Sequence, residues 1–192
     1  MKTIKTTIAT SLLVMQCIFG FSQKDSSGIY FKANDYINHK LSYAINCKTE
    51  KHKIAADMIF HPKEISVKHN GTTYKYQKDS VYAIKYCDGS IVRIYDNSEF
   101  PLVNPNETIM LYKVVSGGAK NIPSVTKYYF SKDAKSKIEE LTIYNVKTAF
   151  PDNHKFHDLL DMEFHSDNEL FAYDNFYKME KINHVLTISK EK

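Results

Sequence analysis

Hydrophobic and polar residues alternate along the first two thirds of this chain, and the alternation predicts β-strands. Between Leu41 and Cys47, apolar side chains alternate with polar or small ones. A period of two residues is typical of a strand with one buried face. Similar patterns predict strands at 28–31, 54–60, 65–69, 72–76, 81–87, 90–95, 108–115 and 126–130, and a short helix or turn at 32–40. The 54–60 segment also fits a helix, because its centre is rich in alanine.

The dipeptide Asn70-Gly71 predicts a tight hairpin between two of these strands. A two-residue type I′ turn needs positive φ at both central residues, which Asn and Gly tolerate. The turn sets a register with Val67 opposite Tyr74 and Ile65 opposite Tyr76. This register collects apolar residues on one face and polar residues on the other, so the pattern and the turn indicate the same pairing.

The dipeptide Asp88-Gly89 predicts a second two-residue hairpin by the same argument. The residues expected on one of its faces are Tyr82, Ile84, Tyr86, Ile91, Arg93 and Tyr95. Those expected on the opposite face are Val81, Ala83, Cys87, Val92 and Ile94. Both faces are largely apolar, so this hairpin is expected in the centre of its sheet.

After about residue 134 the pattern becomes helical. A short helix is expected over 142–149, because Pro151 stops it. Asn153 is expected to cap a second helix that ends near Glu163. The run Ser166-Asp167-Asn168-Glu169 has the pattern of a capping box and predicts a third, longer helix after it.

The order of these elements predicts the fold class. We expect an α+β fold, in which an antiparallel β-meander of about six to eight strands is followed by a C-terminal cap of about three helices. Residues 23–192 are expected to form a single domain. It should be mainly β over 28–131 and mainly helical over 138–190.

The N-terminal segment has the three-part pattern of a secretory signal peptide. Two lysines precede an apolar stretch, and small residues fit a cleavage site between Ser22 and Gln23. We therefore expect residues 1–22 to be removed and the mature protein to be periplasmic or secreted. Lipidation at Cys17 is the less favoured alternative, because Gln16 stands where a small residue is normal. No later segment has the ~18 apolar residues of a membrane span, so the mature chain should lack a transmembrane segment.

Cysteine usage agrees with export. The chain has three cysteines, of which Cys17 belongs to the predicted signal and Cys47 and Cys87 remain. An even pair in an oxidising compartment predicts one disulfide. The alternative is two free, buried thiols on neighbouring strands, because sequence alone does not supply the distance that a bridge needs.

Three short segments carry a resemblance to known sequences. The signal ends in Phe21-Ser22-Gln23, the second hairpin combines Asp88-Gly89 with Arg93-Ile94-Tyr95, and a third segment runs from Phe150 to Asp161. In these segments the chain resembles a group of small exported proteins of Bacteroidetes-type Gram-negative bacteria. The resemblance covers most of the mature chain and implies export. It transfers no activity and no catalytic residue.

The charge balance invites a nucleic-acid interpretation that the composition then weakens. The 192 residues carry a formal net charge of +4, from 26 Lys and Arg against 22 Asp and Glu. Arg93 is the only arginine, so the side chain that best reads phosphates and guanines is nearly absent. We therefore expect no nucleic-acid partner. There is also no Gly-x-Ser-x-Gly elbow and no Gly-rich phosphate loop.

Histidine and aspartate residues share one side of the second predicted helix. At 100° per residue, His154, His157, Asp158 and Asp161 lie on or beside one face, and His165 extends it. Imidazole and carboxylate groups at this spacing can bind Zn²⁺ or a similar divalent ion. The alternative is the polar face of an amphipathic helix, because no named metal motif is matched. A divalent metal here is the single cofactor that the sequence suggests.

The second hairpin offers a possible binding face. Tyrosine is the commonest aromatic residue, with 14 copies against 11 Phe and no Trp. Tyr82, Tyr86, Arg93 and Tyr95 could bind a ligand or a protein, since tyrosine combines an apolar body with a polar tip. The alternative is that the C-terminal helices cover this face and the tyrosines belong to the core.

These observations favour a class of protein but no activity. We expect an exported, non-catalytic binding or interaction module of the bacterial cell envelope, whose partner is an envelope protein or a small ligand. The alternative is a metal-dependent enzyme, for instance a hydrolase, that uses the histidine and aspartate face over 154–161.

Overall fold

The structure, a computed structural model, describes residues 25–51, 53–56, 63–117 and 123–191. The strands are β1 (Ser26–Tyr30), β2 (Ser42–Asn46), β3 (Lys53–Ala56), β4 (Glu64–His69), β5 (Thr72–Gln77), β6 (Ala83–Lys85), β7 (Ile91–Tyr95), β8 (Ser98–Leu102), β9 (Met110–Ser116), β10 (Val125–Ser131), β11 (Glu139–Glu140), β12 (Tyr173–Asp174) and β13 (Met179–Glu180). The helices are α1 (Ala33–Ile37), α2 (Ile143–Ala149), α3 (His154–Glu163) and α4 (Lys181–Lys190).

Eight of the strands form one antiparallel sheet in the order β11-β10-β9-β8-β7-β6-β1-β2. From β6 to β11, neighbours in the chain are also neighbours in the sheet, which is the meander that the sequence predicts. Strands β1 and β2 continue the sheet beyond β6. With three C-terminal helices, this arrangement confirms the predicted α+β class. It also places β6 and β7 inside the sheet, as the apolar residues on both of their faces indicate.

The Asn70-Gly71 hairpin lies in a second, three-stranded sheet of order β3-β4-β5. Val67 is opposite Tyr74 and Ile65 is opposite Tyr76, which confirms the predicted register. The two turn residues have φ values of 49° and 78°, as a type I′ turn requires.

This small sheet covers part of one face of the main sheet. Its Ile65 and Val67 are fully buried in the same cluster as Ile29 and Ile84 of the main sheet. The strand expected over 54–60 is present as β3, and residues 57–60 lie outside the described residues. Burial of this apolar interface holds the two sheets together.

The second hairpin differs from its predicted turn by one residue. Its loop is Cys87-Asp88-Gly89, because the Tyr86 N–H donates to the Ser90 carbonyl at 2.9 Å and closes the ladder one residue earlier. Gly89 has a φ of 87°, which three-residue hairpin loops place at this position. The register shifts accordingly, and Ile84 lies opposite Val92. The predicted grouping of side chains on the two faces is therefore wrong, since a shift of one residue exchanges the faces.

The C-terminal helices pack on β9 and β10. Leu111 of β9 and Phe130 of β10 are buried in one cluster with Phe156 and Leu160 of α3 and Leu186 of α4. Removal of this large apolar surface from water is the main force that docks the helices. None of the described helices is long and apolar enough to cross a membrane.

Helices α2 and α3 begin where the sequence predicts. The Thr142 hydroxyl accepts the Asn145 N–H at 3.1 Å, and the Asn153 side chain accepts the Phe156 N–H at 3.0 Å. These bonds satisfy N–H groups that have no partner inside the helix. Both helices thus start at residues whose side chains replace the missing backbone acceptors.

The third predicted helix is wrong over its first half. The capping-box run is followed by a 3₁₀ turn (Asp167–Phe171), then by the β12–β13 hairpin, and α4 begins only at Lys181. The aromatic residues of this stretch recur at a spacing that also fits a helix. In the structure, these aromatic residues lie on a hairpin instead.

A side chain explains why the chain turns here. The Asp174 carboxylate accepts the N–H of Phe176 at 2.8 Å and that of Tyr177 at 3.0 Å. Such bonds offer the backbone an alternative to helical hydrogen bonds. Lys178 follows with a φ of 58°, a left-handed conformation that ends the turn and brings β13 back beside β12.

The opposite face of the main sheet is covered by α1 and by the loop over 132–138. Tyr112 alternates with Leu111 along β9 and so points to this opposite face. It is buried in one cluster with Tyr36 of α1 and with Ile138. The Tyr36 hydroxyl also donates to the Pro105 carbonyl at 2.9 Å. The C-terminal helices therefore do not cover this face.

Cys47 and Cys87 form a disulfide bond, with 5.7 Å between their Cα atoms. The bond confirms the predicted bridge over the alternative of two free thiols. Cys47 directly follows the edge strand β2, and Cys87 lies in the loop that follows β6. Because β1 lies between β2 and β6, the bridge connects the edge of the sheet to its interior.

Gly28 of β1 lies where the neighbouring chain leaves no room for a side chain. A Cβ at this position would be 2.7 Å from the Ser42 carbonyl oxygen and 3.3 Å from the Leu41 side chain. We expect Gly28→Ala to lower the free energy of unfolding by about 1–3 kcal/mol, because the backbone of β2 has to move. Urea unfolding measures this free energy, with Ser98→Ala at an exposed position of β8 as a control that should change it by less than about 0.5 kcal/mol. Equal midpoints for the two variants would show that β2 adjusts freely.

Candidate functional site

The predicted metal-binding residues lie on α3, but they are not arranged as ligands. Three of them are exposed to solvent: His154, Asp158 and Asp161. The fourth, His157, has its Nε2 atom 2.9 Å from the Phe150 carbonyl oxygen and 3.1 Å from the Lys147 carbonyl oxygen. Because both partners are acceptors, this nitrogen carries a proton and donates, so it cannot also ligate a metal.

Asp161 forms an ion pair, since its carboxylate lies 2.5 Å from the Lys147 ammonium. Over the described ranges, no group of three or more His, Cys, Asp or Glu side chains could hold a metal ion. The four residues instead contribute to the polar face of α3, whose Phe156 and Leu160 are buried. His157 additionally fastens α3 to the C-terminal end of α2.

The predicted tyrosine face is divided between two sides of the sheet. The Arg93 guanidinium carbon lies 5.0 Å from the ring centroid of Tyr82 and 5.8 Å from that of Tyr95. Tyr86 packs in the other cluster, between the main sheet and the small sheet, which follows from the shifted register. The Tyr82 hydroxyl donates to the Ala134 carbonyl at 2.7 Å, beneath the 132–138 loop. The expectation of one open four-residue face is therefore corrected.

Arg93, only 4% exposed, is the centre of a buried hydrogen-bond network. Its guanidinium donates to the Tyr112 and Ser131 hydroxyls, both at 2.9 Å, and to the Ser136 carbonyl at 2.6 Å. No carboxylate of the described residues forms an ion pair with it. Burial raises the pKa of the Tyr112 and Tyr82 hydroxyls, which therefore stay neutral. The arrangement serves the core rather than a ligand.

The β12–β13 hairpin has the features of a binding surface. Three aromatic side chains are exposed on it: Tyr173 (50%), Phe176 (83%) and Tyr177 (53%). The Phe176 and Tyr177 rings meet edge to face with 4.8 Å between centroids, and Tyr177 lies 3.7 Å from the His184 ring. Neighbouring aromatic residues that remain exposed together mark an interaction surface.

Asp174 fastens the hairpin to the rest of the protein. Besides its two bonds within the turn, its carboxylate lies 3.8 Å from the His184 Nδ1 atom of α4. The backbone bonds, that from Tyr177 foremost, hold the pKa of Asp174 below its usual value, so it stays ionised at neutral pH. The Lys181 N–H closes the base of the hairpin by donating to the Ala172 carbonyl at 2.8 Å. The aromatic residues are therefore presented on an ordered support.

A cavity of about 380 Å³ lies between this hairpin and the loop over 103–107. Small-molecule sites have volumes of roughly 300–1,000 Å³, so the space suits a small ligand. Among the residues that line it are Asn104, Glu107, Tyr173, Tyr177, Lys178 and Glu180. We call this cavity, together with the three exposed aromatic residues, the hairpin site.

Glu107 supplies a fixed carboxylate in the hairpin site. Its oxygens accept the Glu180 backbone N–H at 3.1 and 3.2 Å, and one accepts the Asn104 side-chain amide at 3.2 Å. These bonds hold the Glu107 side chain in one position. Glu107 thus joins the loop to the start of α4 and presents a negative charge beside the cavity.

Two buried asparagines hold the loop and α4 together. Asn183 of α4 binds both backbone groups of Ile109, accepting its N–H at 2.8 Å and donating to its carbonyl at 2.9 Å. Asn104 donates to the same carbonyl at 2.8 Å and accepts the Leu111 N–H at 2.6 Å. Because buried backbone groups need partners, these bonds define the position of the loop that forms one wall of the cavity.

Glu180 is a buried acid with an unpartnered oxygen. It is 5% exposed, and its buried Oε2 atom has no hydrogen-bond partner among the described residues. Burial, and secondly the charge of Glu107, raise the pKa of the Glu180 carboxyl to about 7. About half of the molecules therefore carry a proton on Glu180 at neutral pH. A buried, unpaired carboxyl is costly for stability, so it marks a position with another role.

A second cavity is larger, but the charged residues that line it are already bound to other residues of the protein. It has a volume of about 600 Å³ and is lined by residues around the end of β2. Its charged groups have partners: Lys48 lies 2.7 Å from Asp25, and the Glu50 carboxylate accepts the Asn46 N–H at 3.1 Å. The hairpin site is the stronger candidate, because it combines exposed aromatic rings with an unpaired acid.

The sequence contains two local signals for the hairpin site that the helical interpretation missed. Asp174-Asn175 is a turn dipeptide, and Asp at this position favours bonds to the N–H groups that follow it. The adjacent Phe176-Tyr177 also places two large aromatic rings side by side, which one buried helix face does not accommodate. The partnership of Glu180 with Glu107 has no local signal, since 73 residues separate them.

Comparison with models of protein families, with curated proteins and with solved structures finds no match to this chain. The site is therefore interpreted from its own geometry. That geometry combines an ordered aromatic surface, a cavity of small-molecule size and two neighbouring carboxyl groups. Such a combination can bind a ligand that offers both apolar surface and hydrogen-bond donors.

Proposed function

We propose that this protein is an exported, non-catalytic binding module of the bacterial cell envelope, and that it binds through the hairpin site. The observation that carries the proposal is the exposure of Tyr173, Phe176 and Tyr177 on a hairpin whose turn is fastened by Asp174. Aromatic anchors that are already ordered lose little entropy on binding, so they contribute strongly to affinity.

Two features support export. The first 22 residues have the pattern of a signal peptide, with a cleavage site before Gln23. The Cys47–Cys87 disulfide is of the kind that persists in oxidising compartments such as the periplasm. Both are expected of a protein that acts in the envelope or outside the cell.

The contacts favour binding over the alternative of a metal-dependent enzyme. The His157 Nε2 atom donates to backbone carbonyls, and Asp161 pairs with Lys147. These contacts give two of the four α3 residues structural partners. The hairpin site, in contrast, leaves its aromatic rings and one carboxyl without partners of comparable strength.

Retention by an envelope fraction tests the proposed function. The purified, disulfide-bonded protein is expected to sediment with envelope fragments of its host, and Phe176→Ser and Tyr177→Ser should each reduce retention about tenfold, the effect of losing one anchor residue. Tyr144→Ser, which removes an aromatic residue that is 77% exposed on α2, is the matched control and should not change retention.

The same experiment can contradict the proposal in two ways. Equal retention of the hairpin variants and the Tyr144 control would show that the hairpin site does not bind. Fractionation of the host cells gives the second readout. Recovery of the chain in the cytoplasm with residues 1–22 still attached would exclude an envelope role.

A further inference from the structure

The unpaired carboxyl of Glu180 indicates what kind of ligand fits the hairpin site. Glu180 lines the cavity and is 5% exposed, and no donor from the described part of the chain binds its buried Oε2 atom. A carboxylate can accept several hydrogen bonds, and a buried one is stable only when donors or a positive charge compensate it. A ligand in the cavity that carries hydrogen-bond donors would compensate this carboxyl.

The charges around the cavity favour a cation. Glu107 faces Glu180 from the loop, and the hairpin contributes the neutral rings of Tyr173 and Tyr177 together with the exposed Lys178. Lys181, which follows Glu180 and begins α4, is bound to Glu163 and so does not compensate the pair. Within the described part of the chain, Lys178 forms no ion pair with either carboxyl group. Two carboxyl groups side by side repel each other unless a proton or a cation lies near them.

A metal ion fits this arrangement less well than an organic cation. Hard cations such as Ca²⁺ need about six to eight oxygen ligands. The site offers two carboxyl groups, while the amide oxygen of Asn104 is already bound to the Leu111 N–H. A primary ammonium needs only three acceptors and is also attracted to the faces of aromatic rings.

We propose that the hairpin site binds a primary ammonium group, held between the carboxyl groups of Glu107 and Glu180 and against the rings of Tyr173 and Tyr177. The inference rests on the proposed function and names the ligand class of the same site. The ammonium supplies the donors that Glu180 lacks. The rings enclose the apolar carbon chain that carries it.

Binding of this kind depends on pH in a defined direction. An ammonium group prefers the ionised form of Glu180, whose pKa is about 7. Alkyl ammonium groups stay protonated to about pH 10, so the charge of the ligand does not change over this range. His184, whose ring lies 3.7 Å from that of Tyr177, is the other titratable group beside the site. The ionised fraction of Glu180 rises from about one tenth at pH 6 to about nine tenths at pH 8, and affinity should rise about tenfold over the same range.

Titration of the disulfide-bonded protein with butylamine, followed by amide NMR, tests the inference. At pH 8 we expect shifts confined to 103–107 and 173–181, with binding about tenfold weaker at pH 6. Glu180→Gln should bind about tenfold more weakly at pH 8 and lose the pH dependence, because its amide stays neutral. Glu140→Gln, at an exposed position on β11, is the matched control and should behave like the wild type.

Comparison probes separate the ligand classes. Tetramethylammonium carries the same charge without N–H donors, so it should bind at least tenfold more weakly than butylamine. Equal binding of the two, unchanged binding by Glu180→Gln, or preferential shifts with Ca²⁺ would each overturn the inference. Envelope retention without butylamine binding would leave the proposed function standing, whereas butylamine binding without retention would contradict only the envelope role.

Discussion

Replacing Arg93 with Met is expected to lower the free energy of unfolding by about 3 kcal/mol. Met keeps most of the side-chain volume but removes three hydrogen bonds, to Tyr112, Ser131 and Ser136. Hydrogen bonds from charged groups contribute about 1.5–3 kcal/mol each, and the Ser136 carbonyl would lose its donor. Part of this loss is offset, because Met removes the cost of burying a guanidinium that has no carboxylate partner among the described residues. Urea unfolding of the oxidised protein measures the change.

Arg93→Lys separates charge from geometry. A lysine keeps the positive charge but offers one compact donor group in place of a planar fork, so it cannot reach all three acceptors. We expect a loss of about 1–2 kcal/mol, intermediate between the wild type and Arg93→Met. If Arg93→Lys and Arg93→Met are equally destabilised, the fork geometry dominates. If Arg93→Met is as stable as the wild type, the network contributes no net stability.

The result bears on how the two faces of the sheet are covered. Arg93 lies on the face that α1 and the loop over 132–138 cover, and its bond to Ser136 is one of the contacts that hold this loop. The Tyr82 hydroxyl contributes another by donating to the Ala134 carbonyl. Loss of Arg93 should therefore increase amide exchange over 132–138 before it affects the C-terminal helices.

Local sequence signals predicted the elements whose geometry is set within a few residues. The Asn70-Gly71 hairpin was predicted in full register, because positive φ at both positions leaves few alternatives. Asp88-Gly89 is compatible with both a two-residue and a three-residue loop, and the choice between them changed every facing pair on β6 and β7. The spacing of hydrophobic residues cannot make that choice when both faces of a hairpin are apolar.

The spacing of hydrophobic and polar residues did not predict the hairpin site, for two physical reasons. The Asp174 carboxylate competes with helical hydrogen bonds, so a stretch with helical spacing becomes a hairpin. Glu107 lies 73 residues away in the chain and meets Glu180 only through the tertiary fold, so no local pattern reveals the pair. Charge and spacing along the chain therefore favoured α3, where the polar residues turn out to have structural partners or to be solvated.

The disulfide is the second feature with a large expected effect on stability. The double variant Cys47→Ser/Cys87→Ser should lower the free energy of unfolding by about 4 kcal/mol, because the bridge closes a loop with a sequence separation of 40 residues. In the chain-entropy model this stabilisation comes from restricting the unfolded chain. Urea unfolding of the oxidised protein and of the variant measures the difference.

The reduced wild-type protein is the control for the serine substitutions. If the bond itself provides the stability, the reduced protein and the double variant should unfold at the same urea concentration, well below the oxidised protein. Equal midpoints for all three forms would contradict the prediction.

The location of the bond indicates which part of the sheet opens first. Cys47 directly follows the edge strand β2, which pairs only with β1 in the described sheet. Without the bridge, amide exchange should therefore rise first in β2, and a protein that stayed in a reducing compartment would have a loosened sheet edge.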